Sequence, residues 1–169
     1  SFAFPQINSF GLIENVDRLQ SIAKENSLLT IAIIDPLACA NTGLKEPSVW
    51  GDDNSGADIL VAEGQHLTIG PNFGGPGLGI FGIRYNEKNK NMVRSTAGRF
   101  IGRAKDNSGR DCKAIILATR EQHIRREKAT SNICTNQGLC ALAFSIHLSL
   151  LGETGFKTLA QLNHTQACK

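Results

Sequence analysis

The stretch LLTIAIIDP, residues 28–36, gives the strongest indication of how the chain folds. Its first seven residues are apolar or β-branched and run without interruption to Asp35 and Pro36. An uninterrupted run of this length before a turn is typical of a strand buried on both faces of a parallel sheet. Three similar runs follow along the chain: residues 58–62 (DILVA), 78–85 (LGIFGIRY) and 113–118 (KAIILA).

The connection between the second and third runs indicates the direction of neighbouring strands. Residues 66–77, HLTIGPNFGGPG, are rich in glycine and proline and show no helical pattern. A parallel crossover needs a dozen or more residues and usually contains a helix, so a connection of this kind favours antiparallel neighbours. The sheet is therefore predicted to be mixed, and the fold class is predicted to be α/β.

Helical spacing of apolar residues predicts an amphipathic helix before the first strand. It covers about residues 11–26, and Asn8 or Ser9 is expected to cap it. The polar, glycine-dotted residues 86–112 are predicted to form an exposed excursion with a turn at residues 107–109.

A second helix is predicted over residues 136–151, with Thr135 or Asn136 as its cap and Gly152 as its end. A last helix is expected to begin near Thr154. The second helix should pack through one apolar face, formed by Leu139, Leu142, Ala143, Ile146, Leu150 and Leu151.

Composition excludes several classes of protein. The chain has 169 residues, a net charge of +3 and a hydrophobic content of 41%, which is ordinary for a globular domain. A protein whose main partner is nucleic acid would be more basic. No apolar run approaches the ~20 residues of a transmembrane helix. We therefore expect neither nucleic acid nor a membrane as the partner.

The five cysteines indicate a reducing compartment, because their number is odd and their spacing forms no disulfide framework. Cys134 and Cys140 lie too far apart for the short paired spacing of a structural zinc site, so no metal site is predicted. The chain begins without Met, which favours a fragment of a longer protein.

Residues 77–82, GLGIFG, match the G-x-G-x-x-G pattern of dinucleotide-binding loops. That loop must follow a strand and begin a helix. Here the glycines lie within a β-favouring run, so the pattern predicts close backbone packing rather than nucleotide binding.

Residues 120–137, REQHIRREKATSNICTNQ, combine a charged half with a neutral, polar half. The charged half leaves three interpretations open: a nucleic-acid helix that lacks aromatic residues for stacking, a metal site around His123 that lacks a second histidine, and a solvated helical turn. The neutral half ends at a predicted helix N-terminus, where exposed N–H groups favour a phosphate or require a simple cap.

The order of motifs resembles glycine dehydrogenase (decarboxylating), the P-protein of the glycine cleavage system, and in particular its N-terminal half, or subunit 1. The resemblance extends over nearly the whole chain. It is carried by residues 35–38 (DPLA), 56–59 (GADI), 63–65 (EGQ), 73–79 (FGGPGLG), 98–102 (GRFIG) and 119–137 (TREQHIRREKATSNICTNQ).

The resemblance implies the fold-type I architecture of pyridoxal-phosphate-dependent transferases, a mixed, mostly parallel sheet flanked by helices. Residues 1–151 would be the later part of the large domain. Residues 152–169 would begin the helical connection to the small C-terminal domain.

The family reaction implies decarboxylation of glycine and transfer of its aminomethyl group to the lipoyl H-protein in glycine catabolism, with pyridoxal phosphate as the electron sink. A lysine must hold that cofactor, yet no lysine occurs between Lys45 and Lys88. The resemblance therefore implies that a partner subunit or half supplies the lysine, in a heterotetramer or a fused chain. This fragment alone would be inactive and would contain no catalytic residue.

Two groups of site residues follow from the resemblance. Ser131, Thr135 and Asn136 are expected to approach the phosphate of the partner's cofactor. The interface with the partner is expected to involve Arg120, His123, Arg125 and Arg126.

The sequence also departs from the family pattern: His66 replaces a usual proline, Cys39-Ala40-Asn41 replaces a usual Leu-Gly-Leu, and residues 52–55 resemble an insertion. A non-catalytic scaffold or regulatory subunit is therefore the main alternative, and a nucleic-acid binder is the second. The expected location is the bacterial cytoplasm, or the mitochondrial matrix in a eukaryote.

Overall fold

Four strands form the main sheet in the computed structural model, which describes residues 1–40, 44–70, 72–96, 100–116, 125–129 and 137–169. Their order is β1 (Phe2–Pro5), β2 (Thr30–Ile34), β3 (Ile59–Glu63) and β4 (Gly79–Ile83). The β1–β2 and β2–β3 pairs are parallel, and the β3–β4 pair is antiparallel. The predicted mixed sheet is thus confirmed.

Burial in the sheet is less complete than the apolar runs predict. In β2 the side chains of Thr30 and Ala32 are buried, while Ile33 is 43% exposed. The side chains of β3 are half-buried or exposed. The prediction of strands buried on both faces was therefore wrong for the described residues.

Two compact units make up the chain. The sheet unit contains Ser1–Arg84 and Asn136–Lys169, and the hairpin unit contains Tyr85–Thr135. This division does not test the large domain and the small domain that the resemblance implies, so those domains stay a prediction.

Helix α1 spans Val16–Glu25, five residues later than the predicted start. Its cap is Asn15, whose side chain accepts a hydrogen bond from the Arg18 N–H at 3.0 Å. Asn8 instead accepts from the N–H groups of Phe10 and Leu12, which closes a loop over residues 7–13. The predicted caps were wrong because Asn8 stabilises this loop rather than a helix.

Helix α2 is the single turn Pro36–Cys39, and the last helix of the sheet unit, α4, spans Gly138–Ala167. Helix α3, Lys90–Ser95, lies in the hairpin unit. At Gly152 the backbone of α4 leaves helical geometry, with φ 58° and ψ −172°. This break agrees with the predicted end at Gly152 and the predicted new helix near Thr154, because glycine adopts a positive φ without strain.

By length and composition alone, α4 is one helix that could cross a membrane. The break at Gly152 divides it into residues 138–151 and 153–167. Each segment spans roughly 21–23 Å, which is less than the ~30 Å hydrocarbon core of a bilayer.

The first segment of α4 packs through a different face from the predicted one. Cys140 is 5% exposed, and Phe144 joins a buried cluster. Both faces of this segment are apolar, so helical spacing alone could not identify the buried one. Much of the predicted face is exposed, namely Leu139, Leu142, Ile146 and Leu150.

Two apolar clusters stabilise the sheet unit. The first contains Phe4, Val16, Ala32, Trp50 and Ala57. Its centre is the fully buried Trp50 ring, which stacks on Phe4 with 5.3 Å between ring centroids. The second cluster joins α2 and α4 to the turn after β3, through Leu37, Leu67 and Ala160.

The hairpin unit contains strands β5 (Phe100–Lys105) and β6 (Asp111–Ile116), paired antiparallel. Sequence reasoning placed β5 within an irregular excursion, and it missed the strand because its alternating pattern is short. The run at residues 113–118 was predicted as a strand of the buried sheet, and this was wrong for its described residues, which belong to the hairpin. The turn at residues 107–109 is confirmed.

Candidate functional site at the carboxyl ends of the strands

The parallel strands β1, β2 and β3 end on one edge of the sheet, and the segments that follow them form a candidate site. Open α/β sheets generally bind ligands outside the carboxyl ends of their strands. A cleft of about 470 Å³ opens here, between the loop at residues 7–13, helix α2 and the second segment of α4. Asp35, Asn163 and His164 are polar residues in its wall.

Asp35 immediately follows β2 and has two roles. One carboxylate oxygen accepts from the N–H groups of Leu37 and Ala38, at 2.8 and 3.0 Å, and so caps α2. The same oxygen lies 3.8 Å from Nε2 of His66. Both side chains are more than a third exposed, so their interaction contributes little to stability. The contact places the Asp35 carboxylate and the His66 imidazole together beside the cleft.

Glu63 holds the turn that follows β3. Its Oε1 accepts from the N–H of Leu78 at 2.6 Å and from the N–H of Gln65 at 2.8 Å. These backbone hydrogen bonds, first that of Leu78 and then that of Gln65, hold the pKa of Glu63 below its usual range. The Gly64 N–H also donates to the Leu78 carbonyl at 2.7 Å. The turn is therefore hydrogen-bonded to Leu78, the residue that precedes β4.

Helix α4 approaches this turn closely. A Cβ atom on Gly64 would lie 3.0 Å from Ile80 and 3.2 Å from the Phe144 ring. One turn further along α4, Nδ1 of His147 lies 2.7 Å from the Leu67 carbonyl oxygen, at hydrogen-bonding distance. Glycine at position 64 thus permits the close packing of α4 on the turn.

These residues do not fit a covalently held pyridoxal phosphate. The turn after β3 offers a carboxylate, an amide and an imidazole, and no lysine lies between Lys45 and Lys88. In the described part of the sheet unit, the Lys24 and Lys45 ammonium groups pair with Asp53 and Asp17. The Lys157 ammonium pairs with Glu153 in the same way.

The structure also describes a polar group here without a partner. Nε2 of Gln65 is buried and has no hydrogen-bond acceptor among the described residues. An amide cannot form the covalent bond to the cofactor that a lysine amine forms. The turn therefore offers no group that could hold the cofactor covalently.

Most of the predicted site residues lie outside the described residues: Arg120, His123, Ser131, Thr135 and Asn136. Arg125 and Arg126 are described and exposed, and residues 126–128 form a single 3-10 turn. A solvated turn was one of the three interpretations left open, and the exposed turn at residues 126–128 agrees with it. The contact of Arg125 and Arg126 with a partner subunit stays a prediction. None of residues 125–128 forms an ion pair with another described residue, so the predicted internal ion pairs are not observed in that part.

Sequence reasoning missed the Asp35–His66 pair and the role of Glu63. The signal was available, since both acidic residues directly follow a predicted strand and precede a turn residue. Carboxyl ends of parallel strands meet at one edge, so this pattern could have placed Asp35 and Glu63 near each other.

The sheet, with its flanking helices and antiparallel edge strand, is an α/β fold of the pyridoxal-phosphate fold-type I class. It matches a crystal structure of glycine decarboxylase (P-protein) of the glycine cleavage system in inhibitor-bound form, with a TM-score of 0.73 and 35% identity. The match covers 92% of this chain and 33% of that one. The chain belongs to the glycine cleavage system P-protein family, whose model matches residues 2–169.

Curated relatives agree with this membership. A probable glycine dehydrogenase (decarboxylating) subunit 1 from Coxiella burnetii is 48% identical over 163 residues, which are 96% of this chain and 34% of the relative. Proteins of the same name from Azorhizobium caulinodans and Maricaulis maris are 48% and 44% identical over 160 residues. The match covers 95% of this chain in both cases, with 33% and 34% of the relatives. The chain thus spans about a third of the length of the curated relatives it matches.

Proposed function

We propose that the chain is part of an aminomethyl-transferring glycine dehydrogenase. The complete enzyme would decarboxylate glycine and pass the aminomethyl group to the lipoyl H-protein. The observation that supports this is the family match over residues 2–169 together with the related fold of the P-protein. Pyridoxal phosphate, when bound, would supply the electron sink for decarboxylation.

The lysine that holds the cofactor would come from a second subunit or half. Two observations support this: the turn after β3 contains no lysine, and three lysines of the sheet unit are ion-paired. The relatives' designation as subunit 1 agrees with such a partner. This chain would complete and position the partner's site rather than hold the reacting group.

The residues that would complete the partner's site are those predicted from the sequence. Thr135, Asn136 and Ser131 would offer a hydroxyl, an amide and a second hydroxyl to a phosphate, as is common before a helix N-terminus. Arg125 and Arg126, with Arg120 and His123, would contact the partner subunit. Because the curated relatives are bacterial, we propose the bacterial cytoplasm as the location, with the mitochondrial matrix as the equivalent in a eukaryote.

Glycine–CO2 exchange with recombined full-length subunits tests this function. We expect exchange only when both subunits are present. Replacing residues 120–137 with neutral residues should abolish exchange, and Thr135→Ala should weaken pyridoxal phosphate binding. A matched change on the sheet unit, Arg18→Gln, should leave both unchanged, because that side chain is exposed and 3.9 Å from its only ion-pair partner in the described part of the chain.

A non-catalytic scaffold is the second candidate, favoured by His66 and by residues 52–55, which depart from the family pattern. Exchange that survives replacement of residues 120–137 would support the scaffold and contradict the proposed role. Exchange that is lost while the subunits still co-elute would contradict the scaffold.

A further inference from the structure

Charge is distributed unevenly between the two units. The hairpin unit contains twelve lysines and arginines and five acidic residues, a net charge of +7 in a chain whose total is +3. The sheet unit therefore has a net charge of −4. An excess of this size on 51 residues creates a field that attracts acidic partners.

One face of the β5–β6 hairpin presents part of this charge to solvent. Directly opposed residues of an antiparallel pair project from the same face, and alternate residues share it. The pairs on this face are Ile101 with Ile115, Arg103 with Lys113, and Lys105 with Asp111. All six residues are exposed, so the face is open in the described part of the chain.

The central pair of this face is electrostatically unusual. Arg103 and Lys113 are like charges placed directly opposite each other, an arrangement that destabilises a hairpin. Neither forms an ion pair with a described residue. By contrast, the Lys105 ammonium lies 2.6 Å from the Asp111 carboxylate, and Arg110 pairs with Asp106 at 2.9 Å. On this face, the positive charge that no described residue neutralises is therefore that of Arg103 and Lys113.

An apolar pair adjoins these cations. Ile101 is 66% exposed and Ile115 is 56% exposed, and the two lie opposite each other one step from Arg103 and Lys113. Exposed aliphatic contact area with charged residues beside it is the pattern of a protein–protein contact. Single-stranded nucleic acid would require aromatic side chains for stacking, and none of the six residues is aromatic.

We propose that this face of the hairpin is a docking surface for an acidic protein segment that carries an aliphatic side chain. Carboxylates of the segment would pair with Arg103 and Lys113, and its aliphatic residue would cover Ile101 and Ile115. A second copy of this chain is a poorer occupant, because carboxylates of its acidic sheet unit, among them Asp17, Asp53 and Glu153, already pair with lysines.

Fluorescence anisotropy with the complete chain tests the proposal. The probe is a fluorescein-labelled peptide of ten glutamates with two central leucines. Arg103→Glu with Lys113→Glu should weaken binding about tenfold or more and flatten its dependence on salt. Arg18→Glu with Lys169→Glu makes the same change of charge in the sheet unit and should change affinity less than about twofold.

A second pair of variants separates the apolar contribution. Ile101→Ser with Ile115→Ser should weaken binding and leave the salt dependence unchanged. If the charge reversals unfold the hairpin, the double variant Arg103→Gln with Lys113→Gln takes their place. It removes the like-charge repulsion and should still weaken binding of the peptide. Circular dichroism establishes that each variant is folded.

Four results would overturn the proposal. The first two are no binding of the peptide at low salt and an equal loss of affinity in the sheet-unit control. The other two are tighter binding of a twelve-nucleotide oligothymidylate, or self-association measured by light scattering, if the hairpin variants abolish it. The first two results exclude the surface, and the last two assign it to nucleic acid or to a second copy. Peptide binding lost only in the hairpin variants supports the proposal.

Discussion

Replacing Trp50 tests the first apolar cluster most severely. The side chain is fully buried, stacks on Phe4 and donates from Nε1 to the Lys45 carbonyl at 3.0 Å. Trp50→Ala removes both contacts and leaves a cavity, which costs about 3–5 kcal/mol of unfolding free energy. Trp50→Phe keeps an aromatic ring against Phe4 and leaves the carbonyl of Lys45 without its donor, at about 1–2 kcal/mol.

The loss should extend beyond the cluster itself. Lys45 also pairs with Asp17, and Asp17 accepts the Gly51 N–H at 2.7 Å. These bonds fasten the segment that contains Trp50 to the start of α1. Because the Trp50 side chain packs against β1 and hydrogen-bonds to this segment, its removal should weaken the packing of the segment on both β1 and α1.

Urea denaturation followed by far-ultraviolet circular dichroism measures the effect, since Trp50 is the only tryptophan and its fluorescence is lost in the variants. A loss of about 4 kcal/mol moves the midpoint by roughly 2 M for a typical urea dependence. Phe10→Ala is the matched control, because that ring is 90% exposed, and its effect should stay within about 0.5 kcal/mol. A Trp50→Ala cost below about 1 kcal/mol, or one equal to that of Phe10→Ala, would refute the assignment of Trp50 to the core.

Three further predictions concern single groups. The pKa of Glu63 is lowered in the folded chain, so its ionised carboxylate stabilises the fold at any pH above the ordinary pKa of a glutamate. That contribution is lost as the pH falls through the folded pKa. The difference in unfolding free energy between wild type and Glu63→Gln should therefore be full at pH 7 and disappear in acid, and a difference independent of pH contradicts this. Gly56→Ala should cost more than about 2 kcal/mol, because φ is +70° and the new Cβ would clash with the backbone carbonyl oxygen of Ser48. Gly79→Ala is the control, since its Cβ meets no atom within 4 Å, and equal melting temperatures for the two variants would contradict this. Burial raises the pKa of the Cys39 thiol to about 11, so mass spectrometry after alkylation at pH 8 should find the exposed Cys168 modified first, and the reverse order contradicts it.

Part of the fold could be predicted from local patterns. The run at residues 28–34 contains β2, and Gly152 divides the last helical region where expected, because apolar runs and glycine act locally. Strand β1, with only Phe2–Pro5, is too short to show a pattern, and β5 alternates over only six residues. The start of α1 at Val16 depends on the competition between Asn8 and Asn15, which a sequence does not resolve.

The candidate site could be predicted in composition and only partly in geometry. The absence of lysine between Lys45 and Lys88 is a fact of sequence, and the proposal that a partner holds the cofactor rests on it. The positions of Asp35 and Glu63 directly after two predicted strands place both residues at one edge of the sheet. The 3.8 Å separation of Asp35 and His66 depends on how two turns approach each other, and no local pattern gives that distance. The buried face of α4 could not be chosen either, because Cys140 and Leu142 lie on opposite, equally apolar sides.

The proposed division of the active site between two subunits or halves is tested most directly by locating the lysine that holds the cofactor. Borohydride reduction of the assembled enzyme with pyridoxal phosphate fixes the cofactor to that lysine, and peptide mass spectrometry identifies it. We expect a label on the second subunit or half and no label on any lysine of this chain. A stoichiometric label on Lys45, or on any other lysine within residues 1–169, would contradict it.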